Sequence, residues 1–336
     1  MKLYETATCP QLPPVTATQK ADILAADRTA EIHRSLFNRV KALNCLETGG
    51  RADKVVLPNS LNIAAWNVER CLNPLGTADL LRAQNPDVVL LSEMDNGMAR
   101  TGQRNTIAEV ADALGMQYTY GVEFFEMGLG GPTERPYCAD DFNALGFHGN
   151  GILSRVAPDA VALIRLDDHG HWFCSDTGAD LDQPRIGGRM AVAAILPCDA
   201  GKICVVSTHF ESNSGAAGRQ SQMDRLMAAI DAFAPGLPVV IGGDLNTGNH
   251  LPNADWTQET LFAAAQRHGY DWQANADGMT TRKSLLTLHP DRAMKLDWFA
   301  IRGGTMTPTS IIPALEPDGT PLSDHELICA YYNVAD

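Results

Sequence analysis

Short apolar runs that end in polar residues recur along the chain. Gly, Pro, Asp and Asn bound them, which is typical of buried strands rather than helices. The predicted strands lie in LNIAAWNVERC (61–71), PDVVLLSEMD (86–95), GNGILSR (149–155), GGRMAVAAILP (187–197), GKICVVSTHF (201–210), VVIGGDLN (239–246), LDWFAIRG (296–303) and HELICAYY (325–332). The turn CDAG between the fourth and fifth segments predicts a β-hairpin.

Helical periodicity is confined to fewer segments. Apolar residues recur at helical spacing over 17–46, and further helices are predicted at about 103–114, 219–232 and 257–268. Because strands outnumber helices and their connections are mixed, we expect two packed β-sheets with helices outside, an α/β sandwich. We expect residues 1–58 to form a mostly helical N-terminal extension packed on a main domain, residues 59–336.

Polar residues stand at the ends or starts of most of the predicted strands. At any one position a turn residue is the ordinary explanation, since Asn and Asp side chains stabilise turns. Burying so many polar groups without partners would be costly, so their repetition indicates a shared site. They are Asn67, Glu93, His209, Asp244, Asn246, Asp297, Asp324 and His325.

The ordered motifs WNVE, LLSEMD, STHF, GGDLN, LDWF and LSDHE resemble the endonuclease/exonuclease/phosphatase superfamily, which has the DNase I-like fold. The resemblance extends over about residues 61–332. It implies a four-layer sandwich of two packed mixed β-sheets flanked by helices, with a site at one end of the sheets. It also implies a metal-dependent hydrolase that acts on phosphoester bonds.

The resemblance also implies residue roles. The implied metal site consists of Asn67, Glu93 and Asp324, and the implied catalytic group consists of His209, Asp244, Asn246, Asp297 and His325. Asp244 and Asn246 would orient the attacking water and bind a phosphate oxygen, while His325 would pair with Asp297. His209 would contact the phosphate or serve as an acid.

Three further residues have open assignments. Arg189 and Arg70 match positions at which relatives carry basic residues near the substrate phosphate, so both are candidate substrate-binding residues. For Arg189 the alternative is an ion pair that braces the sheet. Glu69 either adds a metal or water ligand or is a surface residue.

The residue types suit this chemistry. Mg²⁺ or Mn²⁺ prefers hard oxygen ligands and keeps several waters, so one or two carboxylates suffice. Phosphoryl transfer needs charge neutralised on the phosphate and a water held in line. Asp244 and Asn246 would face the same side of an extended chain and address the reacting group, and the two glycines before them would let the backbone approach closely. His325 could act as a cation or as a base.

Charge bears on the substrate. The chain has 336 residues, a net charge of −14, 7 lysines and 19 arginines. Such a chain does not generally attract nucleic acid or anionic membranes. The two long Gly/Pro/Asp-rich segments, about 127–149 and 167–188, are candidate substrate loops and are not basic. We therefore favour a phosphorylated small molecule or lipid headgroup over nucleic acid, with an inactive binding module as a third alternative.

The sequence says less about the cellular location of the protein and about any second metal site. The eight cysteines are scattered without metal-ligand spacing, and no apolar run approaches the ~20 residues that span a bilayer. We expect a cytoplasmic protein with reduced cysteines. The segment DDHGH (167–171) could suit a transition metal, although a polar loop at the rim of the cleft is the favoured interpretation.

Overall fold

A computed structural model describes residues 2–177, 179, 183–288 and 293–334. This part of the chain forms fifteen strands and six α-helices. The strands are β1 (Thr8–Cys9), β2 (Leu46–Gly50), β3 (Ser60–Arg70), β4 (Val88–Asn96), β5 (Gln117–Glu126), β6 (Phe147–Ser154), β7 (Ala160–Arg165), β8 (Arg185–Gly187), β9 (Met190–Cys198), β10 (Gly201–His209), β11 (Val239–Asp244), β12 (Asp297–Arg302), β13 (Thr305–Met306), β14 (Ser310–Ile312) and β15 (Leu327–Asn333). The helices are α1 (Ala17–Ala25), α2 (Ala30–Arg39), α3 (Pro74–Gln84), α4 (Thr106–Leu114), α5 (Ala216–Phe233) and α6 (Leu261–Arg267).

The strands form two sheets that are both mixed. The larger sheet has the order β1-β2-β5-β6-β4-β3-β15-β13, with β8 beside β5 and β14 beside β15. The smaller sheet has the order β12-β11-β10-β9-β7. Strands β3 and β4 are parallel, as are β10 and β11, whereas β9 and β10 form the predicted antiparallel hairpin.

Alternating side chains divide the apolar core into layers. On β3, Ile63 and Ala65 face the space between the sheets, whereas Ala64 and Trp66 face the helices α1 to α4. The smaller sheet does the same, packing alternate residues against the other sheet or against α5 and α6. This is the period-two pattern of strands buried on both faces. The predicted four-layer α/β sandwich is confirmed.

The structure corrects several local predictions. The single helix predicted over 17–46 is two helices, a short 3₁₀ helix (Lys41–Asn44) and β2. Thr29 interrupts the helix because its extended backbone and its hydroxyl cap the start of α2. Sequence reasoning also missed α3, β5 and β7. In α3 a Gly in the first turn weakens the helical pattern, although Asn73 and Pro74 form a standard helix start.

The N-terminal segment contributes to both a helical layer and a sheet. Helices α1 and α2 bury Ile23 and Leu36 against the outer face of the larger sheet, and β2 pairs with β5 inside that sheet. The division into an extension and a main domain stays a prediction. Within the described residues, no helix combines the length and the apolarity that crossing a bilayer requires.

Candidate active site

Strand register alone aligns three of the predicted residues. Parallel pairing of β10 with β11 places His209 beside Asp244, and antiparallel pairing of β11 with β12 places Asp244 beside Asp297. The carboxyl ends of β3 and β4 and the start of β15 reach the same end of the sandwich. Residues separated by more than 200 positions therefore meet there.

Asp244 lies at the centre of this group. Its Oδ2 accepts a hydrogen bond from Asn67 Nδ2 (3.1 Å) and lies 3.5 Å from His209 Nε2 and 3.6 Å from His325 Nε2. Its Oδ1 accepts the backbone N–H of Asn246 (2.8 Å). One carboxylate thus contacts side chains from both sheets.

The motif around Asp244 is built differently from the expectation. Strand β11 ends at Asp244, and Asn246 has a left-handed backbone (φ +51°), so the two do not continue one extended chain. A Cβ on Gly243 (φ +145°) would lie 2.0 Å from the Thr208 carbonyl oxygen, and one on Gly242 would lie 2.7 Å from Leu90. The glycines therefore allow a close approach between neighbouring strands and between the two sheets.

His325 and Asp297 form a buried pair. His325 Nδ1 lies 2.8 Å from Asp297 Oδ2, and Trp66 Nε1 donates to the His325 carbonyl (2.8 Å). Burial opposes the charged imidazolium, but Asp297, Asp244 and Asp324 outweigh it and raise the pKa of His325 well above its ordinary value. The structure thus favours a protonated His325.

Irregular backbone aims Glu93 into the cleft. The pairing of β3 with β4 shifts register between Asn67 and Arg70, and Glu93 has a φ of +61°. Such bulges redirect side chains beside functional sites. Glu93 Oε1 accepts from Asn67 Nδ2 (3.1 Å), so Asn67 bridges Glu93 and Asp244. Arg70 forms an ion pair with Glu93 and another with Glu134 (2.9 Å).

Glu69 and Asp324 form a second acidic group through one threonine. Thr287 Oγ1 lies 2.8 Å from Glu69 Oε1 and 2.7 Å from Asp324 Oδ2, so its single hydroxyl proton serves one of the two carboxylates at a time, and Ser284 Oγ donates to Glu69 (2.6 Å). Burial, together with the charge of Asp324, raises the pKa of Glu69 to about 7. The surface alternative for Glu69 is wrong, since this side chain is buried.

His209 lies in an ionic group that sequence reasoning largely missed. Arg189 Nη1 lies 2.9 Å from His209 Nδ1 and pairs with Glu123, and Arg189 Nε donates to Glu211 (3.2 Å). The second carboxylate oxygen of Glu123 lies 3.4 Å from His209 Nδ1. Glu123 belongs to β5, where an acidic residue between the apolar Val122 and Phe124 was the available signal.

These groups enclose a cavity of about 170 Å³. Its lining residues are Glu93, Arg189, His209, Ser212, Asp244, Asn246, Thr281, Arg282, Thr287, Leu296, Asp324 and His325. Asn67, Arg70 and Asp297 touch lining residues from behind. The substrate contact predicted for Arg70 stays a prediction. Arg189 forms ion pairs with Glu123 and Glu211, as in the alternative assignment, and it also lines the cavity.

The sequence model of the Endonuclease/Exonuclease/phosphatase family matches residues 64–325. The chain belongs to this family. The resemblance carried by its motifs is therefore confirmed, and the family consists in general of metal-dependent phosphoesterases. No curated protein sequence matches the chain significantly.

Solved structures of the family share the fold. An endonuclease/exonuclease/phosphatase from Beutenbergia cavernae superposes with a TM-score of 0.59 at 16% identity, covering 82% of this chain and 72% of that one. A family member from Bacteroides vulgatus gives 0.53 at 15% identity (82% and 99%), and TDP2 from Caenorhabditis elegans gives 0.51 at 16% (82% and 74%). At these identities the likeness shows the fold alone.

The acidic residues of the site fit the divalent cation that family members use. Glu69, Glu93 and Asp324 offer hard carboxylate oxygens, the ligands that Mg²⁺ and Mn²⁺ prefer. The raised pKa of Glu69 reflects burial and then repulsion from Asp324, which a cation would relieve. In the described residues, Asp244, Asp297 and His325 are the one acidic and histidine trio whose ligand atoms all lie within 4.8 Å of one another. Because His325 already bonds Asp297, we regard that trio as a hydrogen-bond system.

The segment DDHGH (167–171), considered above as a transition-metal site, lies beside the cleft and does not line it. His171 Nε2 contacts Asn213 Nδ2 (2.8 Å), and Trp172 Nε1 donates to Glu211 (3.0 Å). His169 and His171 line a neighbouring cavity of about 300 Å³. This agrees with a polar loop at the rim.

Proposed function

We propose that this protein is a divalent-metal-dependent phosphoesterase that hydrolyses a phosphate ester of a small molecule or lipid headgroup by in-line attack of water. One observation carries the proposal. Asp244 Oδ2 lies 3.6 Å from His325 Nε2 and 3.5 Å from His209 Nε2, and Asn67 Nδ2 donates hydrogen bonds to both Asp244 and Glu93. A base, two imidazoles and a carboxylate ligand thus share one cavity, which is what phosphoester hydrolysis requires.

Glu93 and Asp324 would hold Mg²⁺ or Mn²⁺, and Glu69 would contribute a further carboxylate. A bound cation supplies neutralisation of the charge on the non-bridging phosphate oxygens. Asn67 was predicted as a ligand, and that role stays a prediction. Its amide nitrogen donates to Glu93 and Asp244, and its amide oxygen accepts from Glu69 N–H (3.1 Å), which supports a positioning role.

Asp244 would orient the attacking water and accept its proton. The Asn246 N–H fixes Oδ1, so that Oδ2 is directed toward the imidazoles and the cavity. Asn246 lines the cavity next to it, although its Nδ2 donates to the Phe210 carbonyl (2.9 Å). Its predicted phosphate contact would use the remaining amide proton.

His325 would stabilise the transition state as a cation. Its pKa is raised, and Asp297 fixes its orientation from the buried side. His209 and Arg189, which also line the cavity, would contact the phosphate oxygens. Preorganised donors of this kind are worth about 10² to 10³-fold in rate each.

One experiment tests the proposal. A panel of phosphomonoesters, phosphodiesters, phospholipids, inositol phosphates and nucleic acids would be assayed with Mg²⁺, with Mn²⁺ and with EDTA. We expect hydrolysis of a non-nucleic-acid phosphoester that EDTA abolishes and added metal restores. Turnover that is indifferent to chelation would overturn the proposed metal dependence.

Nucleic acid is the alternative substrate for the same site. The net charge of −14 opposes tight binding of a polyanion, because duplex binders neutralise many phosphates. An inactive binding module ranks third, since every predicted catalytic position is occupied and most lie around one cavity. Efficient DNA cleavage at moderate salt would place nucleic acid ahead of a small-molecule or lipid phosphoester as the substrate.

A further inference from the structure

Residues 279–288, which we call the rim segment, differ in composition from the rest of the protein. The sequence MTTRKSLLTL carries two basic residues and no acidic one, in a chain of net charge −14. Met279, Leu285 and Leu288 are 52%, 38% and 53% exposed. Among the described residues, 11 large apolar side chains are exposed, so these ten positions hold more than a quarter of them.

The rim segment is fixed to the catalytic end of the sandwich. Arg282 N–H donates to the Asp324 carbonyl (2.8 Å), and Thr280 N–H donates to the Met294 carbonyl (2.7 Å). Ser284 Oγ donates to Glu69 and accepts the N–H of Thr287 (2.8 Å). The segment therefore has a defined position directly beside the cleft.

Its side chains divide into an inner and an outer set. Ser284 and Leu286 are buried, and Thr287 lines the cavity. Lys283, Leu285 and Leu288 are exposed between and beside them. The Lys283 ammonium group makes no hydrogen bond or ion pair with any residue that the structure describes. The outer face thus presents apolar side chains and a cation at the mouth of the cleft.

We propose that the rim segment docks the protein on an anionic phospholipid surface, so that the cleft acts on a phosphate ester carried by a lipid. This proposal rests on the proposed phosphoesterase function and narrows its substrate class. Leu285, Leu288 and Met279 would enter the interfacial region while Lys283 lies at the level of the lipid phosphates. Apolar burial combined with basic side chains is what binds peripheral segments to such surfaces.

Other occupants account for fewer of these observations. A water-soluble substrate needs no apolar side chains outside the cleft, and clustered exposed apolar residues mark interaction surfaces. A nucleic acid would be bound by many cations, whereas the segment has two, and one of them, Arg282, already pairs with Glu326 (3.4 Å). Because the rest of the chain is acidic, attraction to the surface is local and weakens as salt shortens the screening length from ~10 Å at 0.1 M.

Vesicle sedimentation with the full chain tests the proposal. We expect binding to vesicles of phosphatidylcholine with 30% phosphatidylglycerol, and weaker binding to phosphatidylcholine alone. Leu285→Ser with Leu288→Ser should lower the partition coefficient at least ~10-fold, and Lys283→Glu should lower it roughly fivefold or more. The matched control, Leu24→Ser with Val55→Ser, changes two exposed apolar residues (58% and 92%) outside the rim and should bind as wild type.

A soluble chromogenic phosphodiester, bis(p-nitrophenyl) phosphate, separates docking from catalysis. The Leu285/Leu288 double variant should cleave it at the wild-type rate, since neither side chain lines the cavity. Docking is overturned if the wild type does not sediment with vesicles, if the double variant binds them equally well, or if the rim instead binds oligonucleotides or a second copy. Rim-dependent vesicle binding without hydrolysis of any ester would support docking and overturn the phosphoesterase function.

Discussion

Two groups of buried charge near the end of β4 differ in how fully they are neutralised. In one, which we call the Arg100 cluster, Arg100 bonds both oxygens of Asp95 (2.8 and 2.9 Å), Glu126 (3.0 Å) and Glu134 (2.9 Å). Burial there would raise the pKa of Glu134, but Arg70 and Arg100 outweigh it and lower this pKa to about 2. Every carboxylate in this group has a cation beside it.

The cleft has the opposite balance. Burial and Asp324 raise the pKa of Glu69 to about 7, and carboxylates around His325 raise its pKa. Chemically identical groups therefore differ in pKa by several units within one end of the sandwich. The Arg100 cluster is already compensated and braces the fold, whereas the cleft retains negative charge that a divalent cation can neutralise.

The largest effect is expected from removing the central cation of the Arg100 cluster. Arg100→Met leaves three buried carboxylates short of a partner and should lower the free energy of unfolding by about 3–5 kcal/mol. Urea unfolding measures this. Arg82→Met, which breaks an exposed ion pair with Asp79, is the control and should cost less than about 1 kcal/mol. Equal losses in both variants would contradict the contrast between buried and exposed pairs.

Asp244→Asn should separate catalysis from stability. The amide cannot accept the proton of water, so kcat/KM on the best phosphoester substrate should fall at least ~10²-fold, about 2.7 kcal/mol. Circular dichroism should report a native fold. Asp79→Asn, an exposed change on α3, should retain wild-type turnover. Near-native turnover of Asp244→Asn would remove Asp244 from the proposed mechanism.

The pH dependence of stability should report the Arg100 cluster. The folded pKa of Glu134 is depressed from about 4.5 to about 2, so its stabilisation is present above about pH 4.5 and is lost as pH falls toward 2. Glu134→Gln should therefore cost roughly 2–3 kcal/mol at pH 7 and progressively less below pH 4.5. Urea unfolding from pH 7 to pH 2.5 checks this, and a difference independent of pH would contradict it.

The smallest effect is expected from the cation itself. For a Kd of about 1 mM, 10 mM Mg²⁺ should raise the free energy of unfolding by about 1.4 kcal/mol relative to EDTA. Glu93→Gln should abolish most of this gain, because it removes a proposed ligand. Sodium chloride at matched ionic strength controls for screening. An undiminished gain in Glu93→Gln would place the cation elsewhere.

The sequence could predict the strands that carry the site, because their apolar runs are long and end in unusual polar residues. It could not predict β5, where Gly121, Glu123 and Glu126 interrupt the apolar pattern. Glu123 and Glu126 are tolerated because Arg189 and Arg100 neutralise them from distant parts of the chain. The prediction of a single helix over 17–46 was wrong for a related reason. Local periodicity cannot show that residues 46–50 pair with the distant strand β5.

Periodicity and motif order alone determined the two-sheet architecture, the family and seven of the twelve residues that line the cleft, because each depends on local pattern along the chain. Only the tertiary structure decided that Asn67 bridges Glu93 and Asp244, that Glu69 is buried beside Asp324, and that the glycines of GGDLN serve strand packing. Distances, burial and charge compensation depend on groups far apart in sequence. Their effects on orientation and on pKa exist only once the chain has folded.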